Sequence, residues 1–398
     1  MREMKDSGIS WVGEIPKEWT IMPLYCFYSE RKNKNIFGAE NNLLSLSYGK
    51  VIRKDINTSE GLLPSNYNGY NIVEAGDIII RPTDLQNDKR SLRTGLSKER
   101  GIITSAYIAL KPKNGINSRF YHYLLHIYDI LKVFYNMGNG VRQGLNYDEF
   151  AKLMVYSPSD TEQQKIAEFL DRACGKIDGL KADIQAQIDT LEQYKRSVIT
   201  EAVTHGLNPS APMKDSKVWY GQIPSEWKEL KGKYVFKQRN DRGNNICLQL
   251  LSPTQKYGVI PQDKYEELTG MNAVKLNDST NYALLKTIHK GDYCISLRSF
   301  QGGFEYSEYE GVVSPAYQVF YPIITIADGY YKYLFKEKGF IDVMNSYTMS
   351  LRDGKNIAFD DFGDTFIPVP PLDEQQEIAD YLDNKCAEIE QIIADKKT

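Results

Sequence analysis

At 398 residues the chain is long enough for two or three domains, and a composition 41% hydrophobic and 25% charged is that of an ordinary globular protein rather than a disordered one. Lys and Arg number 49 against 52 Asp and Glu, a net charge of −3, which excludes the bulk basicity of many nucleic-acid binders, so any DNA contact must be local or assisted by a partner. The five cysteines, Cys26, Cys174, Cys247, Cys294 and Cys386, form no CxxC pair, zinc spacing or disulfide framework; with no apolar run of membrane-span length and no signal-peptide core, they point to a soluble cytoplasmic protein with no membrane role.

Near the start, Trp11, Gly13, Glu14, Ile15, Pro16, Glu18 and Trp19 form a short motif that recurs as Trp219, Gly221, Gln222, Ile223, Pro224, Glu226 and Trp227, using up all four tryptophans. Self-similarity at a period of about 210 residues signals a duplicated unit. Next, Gly76 and Asp77 make a turn before Ile78, Ile79 and Ile80, and are answered by Gly291 and Asp292 before Tyr293, Cys294 and Ile295. Gly101, Ile102, Ile103, Ala106 and Tyr107 are answered by Gly311, Val312, Val313, Ala316 and Tyr317. A helical stretch over residues 118–135 carries Phe120, Tyr121, Tyr123 and Leu124, matched by Tyr330, Tyr331, Tyr333 and Leu334. His122 and His126 have the i, i+4 spacing of a metal pair, but the segment is crowded with Tyr and Leu and its repeat lacks histidine, so a structural role is the better reading and no metal is expected.

Each copy also holds two polar stretches after strand-like runs. In the first copy, Arg81, Thr83, Gln86, Lys89, Arg90 and Arg93 concentrate donors of the kind that read base edges and bind phosphates. Arg298, Ser299 and Gln301 are their counterparts. The second stretch carries Asn139, Arg142, Gln143 and Asn146, matched by Ser350, Arg352 and Lys355. These are the candidate DNA-binding residues, and two similar surfaces suit a two-part site.

From Pro158 a long helix is predicted to run to Gly206, opened by a capping box of Ser159 and Glu162 and closed by His205, Gly206 and Pro209. Ile166, Leu170, Ala173, Ile177, Leu180, Ile184, Ile188, Leu191, Tyr194 and Val198 form one apolar stripe along it. At about 1.5 Å per residue, a strut of roughly 42 residues would span on the order of 60 Å. After Pro370 and Pro371 a second helix repeats the opening: Glu374, Gln375, Gln376 and Ile378 answer to Glu162, Gln163, Gln164 and Ile166. Antiparallel, coiled-coil-like pairing through Leu170, Ile177, Leu180 and Ile184 with Ile378, Leu382 and Ile389 would give a pseudo-twofold molecule. The fold class expected is α+β: two similar globules, residues 1–157 and 208–371, separated by long helices at 158–207 and 372–398.

No Gly-rich phosphate loop with Lys-Ser/Thr, GxSxG, HExxH, adenine-methylation motif or GxGxxG after a strand is present, so no catalytic residue is named. The tryptophan-bracketed openings, the Glu-Gln-Gln starts of both helices and the run from Ser197 to Leu207 together resemble a specificity subunit of a type I restriction-modification system, over essentially the whole chain. The resemblance implies two target recognition domains, each reading one half of a bipartite site in double-stranded DNA, separated by antiparallel conserved helices. It implies a non-catalytic chain without a cofactor of its own, on which two methyltransferase subunits dock, bind S-adenosylmethionine and methylate a flipped adenine. Motor-nuclease subunits would join for restriction. The second helix is shorter than that family pattern, which puts docking of one methyltransferase copy in doubt and keeps open the alternative of a truncated or antagonist scaffold that binds methyltransferase subunits without productive DNA recognition.

Overall fold

Ile78–Ile80 is buried at every residue, as a β-branched run inside a sheet should be. It lies in a four-stranded antiparallel sheet ordered Tyr28–Glu30, Ile108–Pro112, Ile78–Ile80, Thr94–Leu96. The matching run Tyr293–Ile295 is likewise fully buried, in a sheet ordered Phe236–Arg239, Gln318–Pro322, Tyr293–Ile295, Phe304–Tyr306. The computed structural model describes residues 2–57, 66–85, 92–135, 137, 144–218, 221–242, 248–271, 282–296, 303–347 and 357–398, and these fall into two compact units, Met1–Leu180 and Lys181–Thr398.

The strand pairs around each sheet repeat as well. Met4–Asp6 with Glu14–Pro16, Thr20–Pro23 with Met154–Ser157, Leu44–Ser47 with Lys50–Arg53 and Asn71–Val73 with Gly101–Ile103 recur as Met213–Asp215 with Gln222–Pro224, Lys228–Lys231 with Phe366–Val369, Leu251–Thr254 with Gly258–Pro261 and Lys286–Ile288 with Gly311–Val313. The shared glycines have identifiable causes. Gly76 and Gly291 both sit at φ +92°, where a side chain would strain the turn. Gly101 and Gly311 are approached so closely that a Cβ would lie 2.5 Å from Asn42 O and 2.3 Å from Gln249 O. Buried ion pairs match too: Arg31 with Asp77, and Arg239 with Asp292.

The predicted long helix is one continuous element, Asp160–His205, and Gly206 ends it at φ +75° with its N–H on Ala202 O. The expected capping box differs from what forms. Ser159 O accepts from the backbone of Glu162 and Gln163, while the Glu162 carboxylate is committed to Trp19 Nε1 at 2.9 Å and to Arg2. The second unit repeats this clamp, Trp227 Nε1 donating to Glu374 at 2.8 Å. Behind it, Gln163 and Gln375, both buried, each donate Nε2 at 2.9 Å to a carbonyl just before the helix, Pro158 O and Pro370 O. The recurring Trp and Glu-Gln-Gln motifs are therefore two halves of one joint between globule and helix.

In the second unit the last helix, Leu372–Lys397, runs antiparallel to the end of the long one. Ala202 and Val203 share a core with Ile378 and Leu382, Ile188 meets Ile389 and Ile393, Lys195 pairs with Glu390, and Lys396 Nζ reaches Gln187 Oε1 at 2.6 Å. This corrects the expected pairing set. Ile378, Leu382 and Ile389 are in the seam, but its partners on the long helix are Ile188, Leu191 and residues 198–203. Leu170 is half-buried, and Ile177, Leu180 and Ile184 are exposed, at 57%, 62% and 39%. The last helix runs along the long one only as far as Gln187.

Candidate nucleic-acid interface

The described residues that flank the two polar stretches of each copy meet at one end of its sheet. In the first unit, Arg81 N donates to Arg93 O at 2.8 Å, closing the base of the first stretch directly beyond Ile80, and Leu145 N donates to Pro82 O at 3.0 Å, bringing in the end of the second. In the second unit, Ser296 N donates to Gly303 O at 2.7 Å directly beyond Ile295. Gln318, opposite Ile295, there holds both Ile357 O, by Nε2 at 3.0 Å, and Phe359 N, by Oε1 at 2.7 Å. The same juxtaposition is thus built from a backbone bond in one unit and a glutamine side chain in the other.

Of the candidate residues, Arg81 and Thr83 are half-buried at the start of their stretch. Asn146 is exposed, and its Oδ1 caps the short helix Tyr147–Phe150 by accepting from Glu149 N at 2.9 Å. Gln86, Lys89, Arg90, Asn139, Arg142, Gln143, Arg298, Ser299, Gln301, Ser350, Arg352 and Lys355 lie outside the described residues.

Arg93 departs from the expectation of a DNA-facing side chain, since it is fully buried. Its guanidinium donates to Thr83 O, to Asp84 O at 2.8 Å and to Tyr135 OH at 3.0 Å. Tyr135 OH in turn donates to Asp129 Oδ1 at 2.9 Å, Lys132 Nζ donates to Tyr135 OH at 3.0 Å, and the other Asp129 oxygen takes Arg93 N. Burial, and then the Asp129 charge, push the Tyr135 phenol up to about 12, so it stays a neutral donor. A planar five-donor group suits this position, because it ties two consecutive carbonyls, the second at Asp84 with φ +56°, to the interior. Arg93 is a positioning residue that holds the start of the first stretch, at Thr83 and Asp84, from behind. Its sequence context is identical in type to that of a surface arginine, so only burial separates the two roles.

His122 is mostly buried, its imidazole is lowered to about 4 by burial and by His126, and its Nε2 is enclosed without a partner. Among the described residues no group of His, Cys, Asp or Glu could hold a metal ion, and no helix is long and apolar enough to cross a membrane.

The described residues form a duplicated α+β frame, each copy bringing the flanks of two polar stretches to one sheet end and clamped to the start of a long helix. Residues 30–190 and 223–396 both match the type I restriction modification DNA specificity domain. The putative type I restriction enzyme MjaX specificity subunit of Methanocaldococcus jannaschii is 23% identical over 97% of this chain and 92% of its own length, and the MjaVIII specificity subunit of the same organism is 27% identical over 34% and 31%. A chain from the solved structure addressing complex assembly and conformational transition of the type I R-M system shares the fold, with a TM-score of 0.64 at 14% identity over 96% of this chain and 94% of that one. The chain belongs to the family of type I restriction-modification specificity subunits, the non-catalytic component that recognises DNA.

Proposed function

We propose that residues 1–157 and 208–371 each read one half of a bipartite site in duplex DNA, the first through Arg81, Thr83, Gln86, Lys89 and Arg90 together with Asn139, Arg142, Gln143 and Asn146. The second uses Arg298, Ser299 and Gln301 together with Ser350, Arg352 and Lys355. The observation that carries this reading is that, in both units, the described residues flanking the two polar stretches meet at the same sheet end. Arg142 and Arg352 are the principal readers, each worth about 1–3 kcal/mol if bidentate on guanine. The helices dock two methyltransferase subunits, which bind S-adenosylmethionine and methylate one adenine per half-site, and motor-nuclease subunits join for restriction.

The test is single-molecule sequencing of adenine methylation in a methylation-free host carrying this chain with its neighbouring methyltransferase gene, against the methyltransferase gene alone. A two-part motif that needs this chain supports the reading and identifies both half-sites. Absence of methylation from a soluble co-purified complex would sink it.

A further inference from the structure

The first unit carries an aromatic side chain that its own fold does not use. Phe37 is 94% exposed, and its backbone sits at φ +60°, a left-handed conformation that an aromatic residue adopts only under constraint. Its neighbour Ile36 is 58% exposed. The segment bearing them is held firmly at its base. Asn35 is fully buried; its N–H donates to Tyr70 O at 2.9 Å, its Nδ2 to Glu40 O and its Oδ1 accepts from Glu40 N, both at 2.9 Å. Glu40 accepts in turn from Asn41 N, Asn42 N and Arg100 Nε. A frame that spends a buried asparagine and a bridging carboxylate to hold an exposed phenylalanine in an unfavourable conformation is built for something outside the chain.

Strand registers place this segment. Tyr28–Glu30 and Ile78–Ile80 are both antiparallel to Ile108–Pro112, so they run in the same direction and leave the sheet at the same end. One leads to Phe37, the other to the recognition stretch at Arg81. Lys34 bridges to Asn71, which pairs with Ile103, and Ile103 leads by a short turn to Ile108, opposite Ile80. Lys32 and Lys34 are exposed beside it. Lys32 pairs with Glu30, whereas among the described residues Lys34 Nζ bonds only the neutral Gly69 O and keeps its charge for an anionic partner.

We infer that Phe37, backed by Ile36, is an apolar wedge that enters the base stack of duplex DNA at the edge of the half-site read by the first unit. An aromatic or aliphatic wedge opens a base step and lets the duplex bend onto more protein surface. This inference rests on the DNA-reading role proposed above, and adds to it a contact that is independent of base identity.

The test uses the full chain in complex with its methyltransferase subunits and a duplex carrying the motif found by methylation sequencing, with 2-aminopurine placed at successive steps within and flanking the first half-site. The wild-type complex should raise fluorescence at one step. Phe37→Ala and Phe37→Gly should abolish that rise and weaken binding about tenfold, the size of one lost aromatic stacking contact, while Phe37→Trp should keep both. Glycine suits the left-handed conformation, so Phe37→Gly should melt at or above the wild-type temperature, separating a lost wedge from a lost fold. Wild-type binding without any step-specific rise, or variants that bind and report as wild type does, would overturn the wedge while leaving the DNA-reading role intact. Loss of methyltransferase assembly with unchanged DNA contact would also overturn it, making the residue a protein contact. No binding by the wild-type complex would overturn the DNA-reading role and the wedge together.

Discussion

The two units share a frame and differ in what fills it. Strand order, turn glycines, buried ion pairs and the Trp-to-Glu clamp repeat from one to the other. Behind the first polar stretch they part. Opposite Ile80 the first unit has Thr94, next to buried Arg93, and a polar brace of Arg93, Tyr135 and Asp129 runs inward. Opposite Ile295 the second has Phe304, which meets Phe340 at 5.0 Å, Phe362 at 5.5 Å and Phe335 at 5.6 Å between ring centroids. Sequence can thus change behind this end of the sheet without disturbing the sheet itself, because the ladder needs only the backbone and a few glycines.

The largest effect expected from breaking this contrast is in the aromatic interior. Phe362→Ala removes a ring packed against Phe236, Phe304, Phe320 and Phe335 and should cost about 3–5 kcal/mol in urea denaturation. Hydrogen exchange should place the loss within residues 181–398. Arg93→Ala takes the guanidinium donor from the Thr83 and Asp84 carbonyls, leaves the Tyr135 hydroxyl with Lys132 as its donor, and should cost about 1–3 kcal/mol. It should also relax recognition of the first half-site while leaving the second intact, and Arg93→Lys should not restore it, since one ammonium cannot span three acceptors. A surface base reader would lose DNA binding with no change in stability, so paired melting and methylation measurements separate the two roles.

A smaller effect distinguishes the charged groups. Glu305, buried beside Lys336, is raised to about 7, chiefly by burial. A carboxyl held above its ordinary value stabilises the fold fully below about 4.5 and loses that contribution as pH rises toward about 7. Denaturation midpoints should therefore fall across this window, and the Glu305-dependent part of the slope should vanish in Glu305→Gln.

The clamps give the smallest and most diagnostic pair. Arg2 holds the Glu162 carboxyl below its usual range, whereas burial lifts that of Glu374. The Glu162 contribution is present at neutral pH and is lost as pH falls through its lowered value; the Glu374 contribution is present in acid and is lost as pH rises through its raised one. At pH 7, Glu162→Gln should lower the melting temperature more than Glu374→Gln, with the gap closing toward pH 4. Equal shifts at both pH values would mean that the clamps are equivalent.

Much of the architecture was legible in the residues. Repeated tryptophans and Glu-Gln-Gln starts marked the duplication, and Gly206 with Pro209 ended the long helix where it ends. The joint between those motifs was visible only as co-recurrence, because Trp19 and Glu162 are far apart in the chain and nothing local requires their hydrogen bond. The candidate interface was legible as polar stretches after strands. Which of their arginines faces outward was not, since Arg93 is told apart from a surface neighbour only by the carbonyls and the tyrosine that enclose it.

By itself the sequence determined periodicity, punctuation and repeat, hence the strands, the helices, the two similar globules and the family, because these depend on short-range residue patterns and on glycine and proline geometry. Only the tertiary structure decided that Arg93 turns inward, that the helix seam begins at Ile188 rather than Leu170, and that Phe37 stands in solvent. Burial is a property of what folds against a residue from elsewhere in the chain, and no local pattern contains it.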